Sequence, residues 1–207
     1  HISDVYASKS RAECDESMRA AVENAESGKG ATVFGYYVDD PERTKRYIAK
    51  LRALLNEYGY RDAFLICTEW NYFWLRRGIW SEFELEGGEY LFEEMFKTAS
   101  SEVGAAYSLA QMMTFQQSEV RAATMHRADA LSMYCTMFNI YGVPQKQFDA
   151  FYAYDALRHG QTEVAVTENG AHPGVYAMAS ACGDYACVAI SQYRGAWKSY
   201  TLELKGL

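Results

Sequence analysis

The chain contains 207 residues, of which 49% are hydrophobic, so it is long enough for one or two domains with a real core. A formal net charge of -7 argues against nucleic acid or an anionic membrane as the main partner, because both select basic surfaces. No apolar run reaches the roughly 18 residues of a transmembrane helix, and no signal peptide is expected at the start.

The cysteine pattern predicts neither a zinc site nor a redox motif, because no two of the five cysteines form a Cys-x-x-Cys pair. We therefore expect no metal and no cofactor. Cys67 lies in an apolar segment and is predicted to be an inert core thiol. The spacing of Cys182 and Cys187 is compatible with a disulfide across a hairpin. The odd total leaves at least one free thiol, so the redox compartment stays open.

The first forty residues contain weaker secondary-structure signals. Residues 1–6 are typical of the end of a strand, with no element before it. Apolar positions at helical spacing predict a helix between Arg11 and Ser27, which Gly28 ends. The aromatic and β-branched segment from Thr32 to Val38 is either a short strand or a surface loop.

A clearer α/β unit follows. Asp39-Asp40-Pro41-Glu42 is a typical helix start, with an aspartate cap and proline in the first turn. The helix is predicted to end at Gly59, and its apolar face comprises Ile48, Leu51, Leu54, Leu55 and Tyr58. The run from Ala63 to Cys67 has no polar alternation, which is typical of a parallel strand buried on both faces.

Glu69 follows this strand directly, where parallel sheets place their chemistry. Trp70 and Tyr72 beside it favour a partly desolvated site enclosed by aromatic side chains. The alternative is a glutamate on a solvated loop. The aromatic and acidic segment from Phe73 to Lys97 has no clean period. A long insertion at this point is typical of a binding loop. Its candidates for substrate contact, if the loop does not simply pack on itself, are Trp74, Arg76, Arg77, Trp80 and Tyr90.

A second α/β unit begins with a helix at Thr98–Glu102 and continues with a short strand from Val120 to Thr124. His126 stands at the carboxyl end of that strand, the second place where chemistry is expected. It either binds substrate or is a satisfied structural histidine. A last helix is predicted from Gln145 to Arg158.

The pattern changes after Gly160, which predicts an α/β body over residues 1–160 and an antiparallel region over 161–207. Gly183-Asp184 and Asn169-Gly170 are hairpin signals. The predicted strands are Glu163–Thr167, Gly174–Ser180, Tyr185–Ile190 and Trp197–Leu204.

The motif Thr68-Glu69-Trp70-Asn71, preceded by an apolar strand, resembles the nucleophile motif of clan A glycoside hydrolases. It is most similar to the family 39 group of β-xylosidases and α-L-iduronidases, in which the motif ends the seventh strand of a (β/α)8 barrel. Later segments resemble the family's seventh helix, eighth strand and eighth helix in order: Gly104–Tyr107, Gln116–Gln117, Met137–Lys146 and Phe148–Leu157. The strands after Glu163 resemble the start of the sandwich that follows such barrels. Upstream, Ser3–Tyr6 resembles the end of the sixth strand.

The resemblance implies the C-terminal part of a (β/α)8 TIM barrel, about strands 6 to 8, followed by antiparallel strands of an accessory sandwich. It implies Glu69 as the nucleophile of a retaining glycosidase acting on an oligosaccharide or glycoside. The implied substrate contacts are Tyr6, Trp70, Asn71, Tyr72, Trp74, His126 and Arg127. A secreted or periplasmic location is favoured by the same likeness.

The chain also departs from the family pattern. The family's acid/base glutamate follows an asparagine at the end of the fourth strand, whereas Asn56-Glu57 here lies within a predicted helix. Asp4 stands where the family tends to have histidine, and Met125-His126-Arg127 replaces an aromatic strand end. We therefore expect a fragment with little activity alone, with a second chain as one possible source of the rest of the barrel. The alternatives are a non-catalytic carbohydrate-binding or interaction protein built on a degenerate half barrel, and an unrelated α/β protein.

Overall fold

The structure is a computed structural model that describes residues 31–37, 40–72, 93, 96–128, 136–167, 173–196 and 199–205. Four sequence predictions lie outside these residues: the strand end at Ser3–Tyr6, the helix between Arg11 and Ser27, the loop that contains Trp74, and the hairpin signal at Asn169-Gly170.

The first half of the described chain forms a parallel α/β sheet. Strand β1 (Ala31–Tyr37) is followed by helix α1 (Pro41–Glu57) and strand β2 (Phe64–Asn71). Helix α2 (Glu102–Gln116) and strand β3 (Val120–Met125) follow. The strand order is β1-β2-β3 with both pairings parallel, so β2 is the central strand of this sheet. The strand alternative for the segment near Thr32–Val38 is confirmed.

The ends of α1 form as their residues predict. The side chain of Asp40 accepts a hydrogen bond from the backbone N–H of Arg43 at 3.2 Å, and Pro41 occupies the first turn. Gly59 has φ of +85°, a left-handed conformation that favours glycine and ends the helix. Of the predicted apolar face, Tyr58 is exposed and the other four residues are buried.

Helix α2 is the most deeply buried helix of the described chain, since every residue from Tyr107 to Phe115 is buried. It contacts α1, helix α3 (Lys146–Arg158) and the second sheet, so it has little exposed surface left. Ser101 caps its start through the backbone N–H of Val103. The backbone of residue 99 passes so close that a Cβ on Gly104 would lie 1.8 Å from the Ala99 carbonyl oxygen.

The second sheet is antiparallel and consists of β4 (Thr162–Val164), β5 (Val175–Cys182) and β6 (Tyr185–Gln192). Gly183 forms the predicted hairpin turn with φ of +56°. The predicted strand at Trp197–Leu204 is wrong for its described part, because residues 199–205 form no strand. Within the described chain, no helix is long and apolar enough to cross a membrane.

The hairpin does not contain the disulfide that the cysteine spacing allowed. Cys182 lies opposite Tyr185, and Cys187 lies opposite Ser180, so the two cysteines are not a cross-strand pair. Both are free thiols.

Candidate functional site

Glu69 lies near the carboxyl end of the central strand, which is the edge where parallel sheets place their chemistry. Glu69 is partly exposed, whereas Trp70 and Asn71, which follow it, are buried. The backbone of Glu69 is in register with Gly35 of β1. Among the described residues at this end of β2, Glu69 therefore provides a partly exposed carboxyl group.

The strand carries a β-bulge just before Glu69. Cys67 is aligned with Phe34 and Glu69 with the next residue, Gly35, so Thr68 has no counterpart on β1. On the other side, Cys67 is aligned with Ala123 and Trp70 with Met125. Compared with either neighbouring strand, β2 therefore contains one extra residue at this point.

Trp70 packs into the core rather than into an open cleft. Its ring is stacked on Phe151 at 5.9 Å and meets Phe115 edge-on at 5.7 Å, and the residue is 2% exposed. The predicted stacking of Trp70 on a sugar stays a prediction, and in the described structure the ring packs in the core. Apolar packing after the bulge is the physical reason.

Tyr72 is also a core residue, at 3% exposure. Its ring packs against Tyr107 at 5.1 Å and against Tyr193 of the second sheet at 6.2 Å. The predicted substrate contact through Tyr72 likewise stays a prediction, and its aromatic surroundings explain its position in the core.

Asn71 is fully buried and forms a hydrogen-bond network, while its predicted substrate contact stays a prediction. Its Oδ1 accepts from the Tyr72 backbone N–H at 2.7 Å and from Gln147 Nε2 at 3.0 Å. Its Nδ2 donates to the His126 backbone carbonyl at 2.8 Å. The Thr136 hydroxyl completes the network by donating to Gln147 Oε1. The side chain of Asn71 thus links the end of β2 to the segment after β3 and to α3.

His126 is brought next to the end of β2. Its backbone N–H donates to the Trp70 carbonyl at 2.9 Å, and its carbonyl accepts from Asn71. His126 is half-buried and Arg127 is exposed, so both remain accessible at this edge of the sheet. The two predicted chemistry positions, after β2 and after β3, are therefore neighbours in the structure.

Other predicted site residues are not placed. Tyr6 and Trp74 lie outside the described residues. Sequence reasoning also missed Thr136 and Gln147, both buried partners of Asn71. The available signal was Gln147 in the first turn of α3, on an otherwise apolar face. Glutamine is common on helix surfaces, so its presence alone did not indicate a buried hydrogen bond. Within the described ranges, no group of three or more His, Cys, Asp or Glu side chains is arranged to hold a metal ion.

A cavity of about 880 Å³ lies elsewhere, between α1, α2 and the second sheet. Lys45, Glu163 and Tyr176 line it, and Glu69 does not. Burial, together with the nearby charge of Glu42, raises the pKa of Tyr176 to about 12. Since no residue from either strand end lines this cavity, we do not assign the candidate site to it.

The thiol of Cys67 is buried, as predicted, and burial raises its pKa from 9.0 to about 12. The pKa of the Cys67 thiol is higher in the folded state than in the unfolded state, so the protonated thiol favours the folded state. This stabilisation is complete below pH 9 and is lost as pH rises toward 12. We expect the wild type to lose about 1.4 kcal/mol of unfolding free energy per pH unit above 9 relative to Cys67→Ala. Urea unfolding at neutral and alkaline pH measures this difference.

The matched control is Cys182→Ala, which removes an exposed thiol. It should retain the alkaline slope of the wild type. An identical slope in the wild type and in Cys67→Ala would contradict the assignment.

The described elements define an α/β protein with helices packed on a parallel sheet and an antiparallel sheet beside them. The fold is similar to a solved crystal structure of a glucosidase from Croceicoccus marinus, with a TM-score of 0.58 and 21% sequence identity. The similarity covers 79% of this chain and 33% of that one, so the chain spans about a third of the structure that it matches. No protein-family model and no curated protein matches the sequence. The likeness establishes a fold similar to part of a glycoside hydrolase.

Proposed function

We propose that the chain is the C-terminal part of a retaining glycoside hydrolase, with Glu69 as the nucleophile. One observation carries this proposal: a partly exposed carboxyl group stands at the carboxyl end of the central parallel strand, within the motif Thr68-Glu69-Trp70-Asn71. The finer proposal is a (β/α)8 barrel related to family 39, with β1, β2 and β3 as its sixth, seventh and eighth strands. In this proposal the sixth strand is Ala31–Tyr37 instead of Ser3–Tyr6, because β1 is the parallel neighbour of β2.

The chemistry proceeds in two displacements. A Glu69 carboxylate oxygen attacks the anomeric carbon while the bond to the leaving oxygen breaks, and an acid protonates that oxygen. Water then attacks the same carbon, breaks the ester to Glu69 and gives up its proton to the conjugate base of that acid. His126 and Arg127, accessible beside the nucleophile, would contact the sugar in this proposal. Trp70, Asn71 and Tyr72 would support the strand end from the core.

The acid/base residue is supplied from outside the strands described here. Retaining enzymes hold their two carboxyl groups about 5–5.5 Å apart. The sequence has no asparagine–glutamate pair at a strand end to fill that role. We propose that the remaining part of the barrel, in a longer polypeptide or in a second chain, carries it. Natural glycosides, which need a proton on the leaving group, should react slowly with this chain alone.

The proposal is tested with a probe that needs no acid. A 2,4-dinitrophenyl 2-deoxy-2-fluoroglycoside, in its xylose and glucose forms, releases a stable phenolate and forms a long-lived ester with the nucleophile. Incubation with the purified chain should release one equivalent of dinitrophenolate. The intact mass should rise by one fluorosugar, and peptide mapping should place the sugar on Glu69.

The possible outcomes separate the competing functions. A sugar found on another carboxylate, such as exposed Glu119, would refute Glu69 as the nucleophile. Binding of oligosaccharides without any labelling would favour the non-catalytic carbohydrate-binding alternative. Rapid turnover of an unactivated glycoside would overturn the view that the acid lies outside this chain.

A further inference from the structure

The face on which Glu69 lies depends on the extra residue in β2. In a strand without a bulge, residues two apart share a face, so Glu69 would share the face of Leu65 and Cys67. Both of those residues are 0% exposed in the core against the helices. A carboxylate placed there would be buried in apolar surroundings at a high cost.

The bulge reverses this alternation after Cys67. Trp70 takes the core face, where it packs with Phe115 and Phe151, and Glu69 takes the opposite face. The burial pattern agrees, since Glu69 is partly exposed between buried Cys67 and buried Trp70. One extra residue therefore decides whether the carboxyl group is available to a substrate.

Two side chains bond to the carbonyl groups of the bulge. The Thr124 hydroxyl of β3 donates to the backbone carbonyl of Thr68 at 2.5 Å. The Cys67 thiol contacts the Glu69 carbonyl oxygen at 3.5 Å as a donor. Its raised pKa keeps that thiol protonated over the physiological range. The Thr124 bond joins residues 56 positions apart, so it ties the bulge to a neighbouring strand.

We propose that Thr124 is a positioning residue for Glu69: its hydroxyl fixes the bulge at Thr68, and the bulge directs the carboxyl group to the open face of the sheet. Its importance for catalysis rests on the proposed function, but its effect on Glu69 does not. Thr124 is exposed, so replacing it should leave the fold intact.

The test measures the accessibility of the Glu69 carboxyl group directly. The wild type, Thr124→Val and Thr124→Ser are treated with a carbodiimide and glycine ethyl ester, and peptide mass spectrometry gives the labelling rate of each carboxylate. Thr124→Val removes the hydroxyl at nearly constant shape. Labelling of Glu69 should be slower than in the wild type, because the bulge loses a hydrogen bond that ties it to β3. Labelling of exposed Glu102 should not change.

The controls separate positioning from general damage. Thr124→Ser keeps the hydroxyl and should restore wild-type labelling of Glu69. Thr162→Val removes an exposed threonine hydroxyl from β4 and should have no effect. Thr124→Ala provides the same comparison if the valine variant folds poorly.

Unchanged labelling of Glu69 in folded Thr124→Val and Thr124→Ala would overturn the proposal. Because carbodiimide labelling requires no glycosidase activity, this result is distinguishable from a failure of the proposed function. If both hold, the fluoroglycoside should label Thr124→Val more slowly than the wild type, and Thr124→Ser should react normally.

Discussion

Replacing Glu69 with alanine is expected to slow dinitrophenolate release from the fluoroglycoside by roughly 10⁴-fold, because the covalent route loses its nucleophile. The loss should appear in the rate of the chemical step, measured by absorbance with excess probe. The dinitrophenolate leaving group needs no proton, so the result does not depend on an acid supplied from outside the chain.

Azide provides the diagnostic rescue. It is small enough to enter the space left by the Glu69 carboxylate, attack the anomeric carbon and displace dinitrophenolate. The product should be a glycosyl azide of inverted configuration, because a single displacement replaces two. The matched control, Glu119→Gln, removes an exposed carboxylate at a distant turn and should react like the wild type. Unchanged release by Glu69→Ala would eliminate the nucleophile assignment.

Asn71→Leu is expected to lower the free energy of unfolding by about 3–5 kcal/mol, because leucine has a similar shape but no hydrogen-bonding groups. It leaves the Tyr72 N–H, the Gln147 amide and the His126 carbonyl without their shared partner. Loss of a hydrogen-bond partner costs a buried polar group about 1–3 kcal/mol. Urea unfolding at neutral pH measures the total.

A double-mutant cycle distinguishes the network from the individual residues. Gln147→Leu alone also leaves partners unpaired, whereas the double variant removes both amides together. The double variant should therefore cost less than the sum of the single variants, by about 1 kcal/mol or more. Asn56→Leu on the exposed face of α1 is the matched substitution, with an expected effect within about 0.5 kcal/mol. An equal effect at positions 56 and 71 would contradict the role of the network.

Much of the fold could be predicted because its signals are local. Asp40 and Pro41 begin α1, Gly59 ends it, and Gly183 turns the hairpin, since each residue type favours the backbone conformation at its position. The strand before Glu69 was predictable from its unbroken apolar run. That information lies within a few residues of each element.

The orientation of the site residues was not predictable, because it depends on pairing between strands that are distant in the sequence. An apolar run without alternation, from Ala63 to Cys67, contains no information about which residues share a face. The bulge at Thr68 depends on pairing with two other strands, and nothing in the segment itself signals it. Trp70 and Tyr72 were therefore predicted to contact substrate, although their neighbours in the fold bury them.

The contact of Tyr193 with Tyr72 and Tyr107 bears on how such proteins can be recombined. Tyr193 follows the last strand of the second sheet, and its ring lies 6.2 Å from Tyr72 and 5.5 Å from Tyr107. A fusion or gene rearrangement that exchanged the segment after Gly160 would place a foreign surface against the residue three positions after Glu69. Chimeras of this type would need to inherit all three tyrosines together, so the apparent module boundary is a poor site for swapping parts between enzymes.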